Sequence, residues 1–146
     1  IGNTYNNNCV VKHELNFNHP VKELVWAHRS TKFKYHDNLD DAVLKLNGHD
    51  RFAKRHGDYF KNVQRYQHHT GAKAINSDEA TPLYVYSFAL QPEEHQPSGT
   101  CNFSRIDNAV LEIESHNTNA KCVDVYAVNY NVLRVMSGMG GLAYSN

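Results

Sequence analysis

The sequence predicts an all-β chain folded as an antiparallel sandwich. Three observations carry that expectation. Apolar and polar residues alternate with period two through most of the apolar runs. Clusters of Asn, Asp, Gly, Pro and Ser separate these runs at short intervals. Strand-length and helix-length patterns do not alternate, so a parallel sheet built from βαβ units is not expected. Periodicity alone does not choose between a jelly roll and an immunoglobulin-like sandwich, because both are stacked antiparallel layers.

The elements follow in order. From Cys9 to Phe17, residues Cys9, Val11, His13, Leu15 and Phe17 share one face, which reads as a half-buried strand ended by Asn18-His19-Pro20. Val21 to His28 carries Leu24 and Trp26 on one face and Val21, Val25 and Ala27 on the other, so it should be covered on both sides. Lys32 to Tyr35 reads as a short exposed strand. Asp40 and Asp41 lead into a strand from Ala42 to Leu46, and Asn47-Gly48 predicts a tight turn because both residues accept positive φ. Between 50 and 69, residues Phe52, His56, Tyr59, Phe60, Val63 and Tyr66 recur at steps of three and four. One or two short helices are expected there, broken near Gly57 and capped by Asp58. Residues 70 to 82 read as a loop. Tyr84, Tyr86, Phe88 and Leu90 define one face of a strand, and a long connection from Gln91 to Ser104 follows. Ala109, Leu111 and Ile113 point inward from the next strand while Glu112 and Glu114 face water. After a polar turn at 115 to 120, Cys122 to Met136 reads as one long strand bent at Asn129 and Asn131. Gly138, Gly140 and Gly141 then form a flexible or tightly turned tail.

The 146 residues suit one domain. A chain of this length buries about two thirds of its unfolded surface, so its core needs neither disulfide nor metal. Cys9, Cys101 and Cys122 are odd in number, widely spaced and outside any CxxC pattern. Buried free thiols in a reducing compartment are expected. Net charge is zero, but residues 45 to 73 hold seven basic and two acidic side chains, and residues 74 to 146 hold three and eight. This bias reads as a solvated surface, with contact between copies as the sharper alternative. The basic stretch has no dense Lys/Arg run and no RRM, KH or zinc-finger pattern, so direct nucleic-acid binding is not expected. No apolar run approaches the ~20 residues that span a bilayer.

No catalytic constellation emerges. Ten histidines are present, but neither HxH nor HExxH occurs, and the adjacent pair His68-His69 would diverge on a strand. Surface or packing roles are expected for them, with His13 as a satisfied core residue and no metal site. Asp40-Asp41 and Glu93-Glu94 read as solvated loop carboxylates. Cys101 lies in no nucleophile motif, and GxSxG is absent. The glycine-rich SGMGG segment from Ser137 to Gly141 follows a strand without opening a helix, so it cannot cradle a phosphate. Asn102-Phe103-Ser104 is the one N-x-S/T acceptor pattern and makes Asn102 a weak candidate for glycosylation. No cofactor is expected.

Four segments carry a family resemblance. They are FNHPVKELVWA (Phe17 to Ala27), LNGHDRFAKRHGDYFKNVQRYQHHTG (Leu46 to Gly71), QPSGTCNFSRIDN (Gln96 to Asn108) and NYNVLRVMSGMGGLAYSN (Asn129 to Asn146). In this order they resemble the C-terminal part of the major capsid proteins of large nucleocytoplasmic DNA viruses. The resemblance selects the jelly roll and implies that residues 1–146 are most of the second of two jelly rolls in a longer chain. It further implies a structural, non-enzymatic virion protein. Three chains would form a near-hexagonal capsomer, and capsomers would tile an icosahedral shell. The implied partners are other copies and minor capsid proteins, with an internal membrane beneath the shell and assembly in the host cytoplasm. Two other readings stand beside this one. A carbohydrate-binding jelly roll would stack sugars on exposed tyrosines or Trp26, and a cupin-like metalloenzyme would need the HxH motif that is missing.

Overall fold

The computed structural model describes residues 9–29, 39–71, 83–115 and 122–144. The expected strand at 32 to 35, most of the 70 to 82 loop and most of the 115 to 120 turn lie outside these. Eleven strands occur among the described residues, three of them only two residues long. One sheet has the order β1 (Cys9–Glu14), β8 (Ala109–Ser115), β3 (Leu39–Leu46), with β4 (His49–Asp50) and β5 (Arg55–His56) pairing successive parts of β3. The second is built around β2 (Pro20–Arg29). Strand β9 (Cys122–Asn129) lies along one edge of β2, and β6 (Tyr84–Ser87) and β7 (Cys101–Asn102) share the other. A separate hairpin joins β10 (Leu133–Met136) to β11 (Met139–Leu142). All pairings are antiparallel.

One core lies between the sheets. Leu39, Ala42, Leu44, Ala109, Leu111 and Ile113 come from the first sheet, and Val21, Leu24, Trp26, Tyr84 and Tyr86 from the second. Strand β8 alternates buried and half-exposed residues as its sequence predicts. Strand β2 is covered on both sides, but Val21 joins Leu24 and Trp26 in the core instead of opposing them. The reason is a bulge between Val21 and Glu23, which adds a residue and reverses the face. Trp26 is fully buried and tilts against Phe60 at 5.2 Å, and Phe52 meets Tyr86 at 4.6 Å. Aromatic edges and faces thus bind the 50 to 69 connection to the second sheet.

The 50 to 69 connection departs from expectation. Its first part forms the bridges β4 and β5, and Phe52 reaches the aromatic cluster from a bend. Only the second part is helical: a π turn at Tyr59–Val63 leads into α1 (Gln64–His68). Asp58 makes no side-chain cap, and its N–H donates to His56 Nδ1 instead. Gly57 marks a close approach, since a Cβ there would lie 2.4 Å from the Leu39 carbonyl oxygen. Helix α1 is held against β6 by buried Gln64, whose Nε2 donates to the Tyr59 hydroxyl (2.8 Å) and whose Oε1 accepts from Ser87 N–H (3.1 Å). Strand β6 ends at Ser87, so Leu90 is exposed instead of completing an inward face.

The outer edges also differ from prediction. Cys9 and Cys122 are exposed and Cys101 is half-buried, so the expectation of buried thiols fails. Cys9 and Cys122 lie on β1 and β9, each the last strand at one side of its sheet. His13 is half-buried with its pKa lowered by burial, and its Nε2 has no hydrogen-bond partner among the described residues, so it is not a satisfied core histidine. Asp40 and Asp41 belong to β3 and not to a turn before it.

Candidate assembly surface

The C-terminal hairpin is the most exposed apolar feature of the described fold. Ser137 (φ 51°) and Gly138 (φ 78°) make the two-residue turn, with Met136 paired to Met139. Positive φ at both central residues matches the right-handed twist of the strands. Leu133 pairs with Leu142, and Val135 with Gly140, on one face; Met136 and Met139 lie on the other. Val132, Leu133, Val135, Met136, Met139, Leu142 and Tyr144 are between 54% (Val132) and 76% (Met139) exposed. A Cβ on Gly141 would meet nothing within 4 Å, and one on Gly140 only a Val135 methyl at 3.9 Å. Nothing in the described fold requires glycine at either position. Each leaves its own face of the hairpin low at that point. The expected long bent strand is therefore two strands, because Tyr130 to Val132 break the ladder.

Side-chain and backbone hydrogen bonds fix the base of the hairpin. Asn131 Nδ2 donates to the Tyr144 carbonyl at 2.9 Å, and Ala143 N–H to Val132 O at 2.8 Å. Tyr130 N–H donates to Pro20 O at 2.9 Å, and Asn129 Nδ2 to Asn18 O at 3.1 Å. The asparagines that interrupt the alternation are thus the residues that position the hairpin. Between its base and the start of β2 lies an open cleft of about 360 Å³, lined by His19, Pro20, Asn102, Ser104, Tyr130 and Tyr144 with Asn131 and Val132. Ser104 Oγ accepts from His19 N–H (2.9 Å), and Asn102 Oδ1 accepts from Ser104 N–H (3.1 Å). Asn102 itself is exposed at the cleft.

The remaining candidate residues are dispersed. Burial pushes the Cys101 thiol up, with Arg51 opposing, which disfavours a thiolate there. His68 and His69 diverge at the end of α1: His68 Nδ1 meets Leu90 O (3.1 Å), while His69 bridges Glu23 (2.8 Å) and Glu93 (3.2 Å). Glu93 is not an idle loop carboxylate. It accepts from Thr70 Oγ1 (2.6 Å) and Thr70 N–H (3.0 Å), and these bonds, with His69, hold its pKa below the usual carboxylate range. No group of three or more His, Cys, Asp or Glu side chains suited to a metal ion occurs among the described residues. No helix there is long and apolar enough to cross a membrane.

Residues 2–141 match the family model described as large eukaryotic DNA virus major capsid protein. The chain belongs to this family. It is 54% identical over 155 aligned residues to the major capsid protein of Pyramimonas orientalis virus, covering 92% of this chain and 39% of that one. It is 47% identical to the major capsid protein of Paramecium bursaria Chlorella virus 1, over 74% of this chain and 29% of that one. A solved PBCV-1 capsid protein, fitted into a reconstruction of the virophage Sputnik, superposes with a TM-score of 0.81 at 35% identity, over 95% of this chain and 46% of the solved one. The Faustovirus major capsid protein shares the fold alone, at a TM-score of 0.57 and 12% identity. The sandwich is accordingly a jelly roll, and the family's role is structural. The chain spans less than half the length of each of these relatives.

Proposed function

We propose that this chain is most of the second jelly roll of a longer, double jelly-roll major capsid protein, and that three copies of the parent associate into a near-hexagonal capsomer that tiles an icosahedral shell. The observation that carries this reading is the exposed apolar hairpin. Seven large, exposed apolar side chains gathered on the two faces and base of one hairpin mark a protein contact. In a family of shell proteins, the partner that recurs is another copy. A stable trimer needs contacts of at least about 1,200 Å², and the hairpin supplies the apolar centre of one. Contacts between trimers can be weaker because many act together. Minor capsid proteins and assembly in the host cytoplasm complete the proposal. Negative-stain microscopy of the parent chain tests it. Three-lobed, pseudo-hexagonal particles are expected, and a field of dispersed monomers at high protein concentration overturns it.

The cleft supports a second reading, glycan binding by the same surface. Tyr130 and Tyr144 could stack on a sugar beside polar Asn102 and His19, whereas Trp26 is excluded by its burial. A glycan array on the parent decides this, and no specific binder removes it. The Asn102 sequon belongs to the same region. A glycan there would add mass to the peptide containing it, and an unmodified peptide from virions refutes the assignment.

A further inference from the structure

We infer that Met136 and Met139 form a peroxide-sensitive modification site, and that their oxidation to sulfoxides stops the hairpin from docking on another copy. The inference rests on the reading of the hairpin as the contact between copies. The chain has two methionines, and both stand at the tip of this one hairpin. They are paired directly across the two-residue turn. Their side chains therefore leave the same face, with Cβ atoms about 5 Å apart. Met136 is 56% exposed and Met139 76%.

The chemistry follows from that exposure. A thioether sulfur needs no deprotonation to act as a nucleophile, so access decides how fast it is oxidised. Its lone pair attacks one oxygen of hydrogen peroxide. The O–O bond breaks, that oxygen stays on sulfur, and the other leaves as water. Sulfur gives up two electrons and the peroxide takes them. A thiol-dependent sulfoxide reductase reverses the step, removing the oxygen as water while two thiols close to a disulfide. The other oxidisable side chains are placed differently. Trp26 is fully buried and Cys101 is half-buried. Cys9 and Cys122 are exposed, but they belong to β1 and β9 and not to the hairpin.

The position decides the consequence. Strands β10 and β11 place Arg134, Met136, Met139 and Gly141 on one face and Leu133, Val135, Gly140 and Leu142 on the other. The two thioethers are the only large apolar groups that these strands put on their face. Methionine is a flexible, polarisable filler of contacts. As a sulfoxide it carries a strong hydrogen-bond acceptor, and burying that oxygen without a donor is costly. Two sulfoxides beside Arg134 turn the whole face polar, while the Leu133 face keeps its chemistry. Both side chains project from the described fold. The single molecule therefore tolerates a change that a contact between copies does not.

Sedimentation of the full parent chain before and after hydrogen peroxide tests the inference, with peptide mass spectrometry to locate the added oxygen. Both methionines should oxidise in the native monomer as fast as in the unfolded chain, and slowly in the assembled trimer. The oxidised parent should associate at least about tenfold more weakly, and sulfoxide reductase should restore it. A parent carrying Met136→Leu and Met139→Leu keeps size and apolarity. It should associate normally and ignore peroxide, which sets aside the cysteines and the parent's other methionines. Oxidised parent that still forms trimers overturns the inference and leaves the capsomer proposal standing. Peroxide sensitivity that persists in the doubly substituted parent overturns it too, as do sulfurs that react equally fast in monomer and trimer. A parent that is monomeric before any peroxide removes the capsomer proposal and this inference with it.

Discussion

At the residue scale, the surface charges are spent within the fold. Lys45 and Lys12 reach Glu112 from the two neighbouring strands at 2.9 and 3.1 Å, and Lys54 pairs with Glu114. The basic segment 45 to 73 therefore meets the acidic segment 74 to 146 inside one molecule, which sequence spacing could not show. The Lys45 hydrogen bond, then that of Lys12, holds the Glu112 carboxyl below its ordinary value of 4.5. A depressed carboxyl stabilises the fold above that value and loses its contribution as pH falls below it. Glu112→Gln should flatten the fall in Tm between about pH 6 and about pH 3; an unchanged acid limb would show the ladder to be idle. Lys45 has the opposite sense. Its pKa is raised by the same bond, so its contribution is present below 10.5 and fades as pH climbs past it. Gly57 gives a steric prediction. Gly57→Ala places a methyl against the rigid Leu39 carbonyl, and denaturant unfolding should show a loss of about 1–3 kcal/mol.

At the element scale, the hairpin separates assembly from folding. Leu133→Asp and Leu142→Asp alter side chains that nothing in the described fold covers, so stability should change by no more than about 0.5 kcal/mol. The same variants should abolish self-association on a sizing column. A large stability loss with association intact would contradict the assignment. Strand β8 was legible because its period-two pattern coincides with its burial, one face inward and one to water. The turns at Asn47-Gly48 and Ser137-Gly138 were legible in different degrees: the first is a strong local signal, while the second was read only as the start of a glycine-rich, flexible or tightly turned tail and not as the turn of a hairpin. The 50 to 56 stretch was misread because Phe52 and the later aromatics converge on one cluster from a bend and a helix, which mimics a single helical stripe. The role of Asn129 and Asn131 was visible only as an interruption. Their partners, Asn18 and the Tyr144 carbonyl, are brought close by tertiary folding alone. Glu93 shows the same limit, since Thr70 and His69 reach it across a gap of more than twenty residues.

At the scale of the whole molecule, the jelly roll supplies a rigid block with a packed aromatic centre, and the C-terminal hairpin gathers the densest group of exposed apolar side chains among the described residues. The fold class follows from period and turns; the choice of jelly roll and the structural role came from the resemblance of long segments, which the family match establishes. The exposed hairpin was not legible, because exposure of apolar strands is a property of what does not cover them. His69, bridging Glu23 and Glu93, ties the end of α1 to the second sheet. His69→Ala should speed exchange in residues 64 to 71 while leaving β8 unchanged, and uniform exchange across both would refute that local role. The central claim is that this fold exists to be repeated. Sedimentation equilibrium of the full parent chain tests it most directly: a mass of three chains that reverts to one with Leu133→Asp is the expected result, and one chain at every concentration would contradict it.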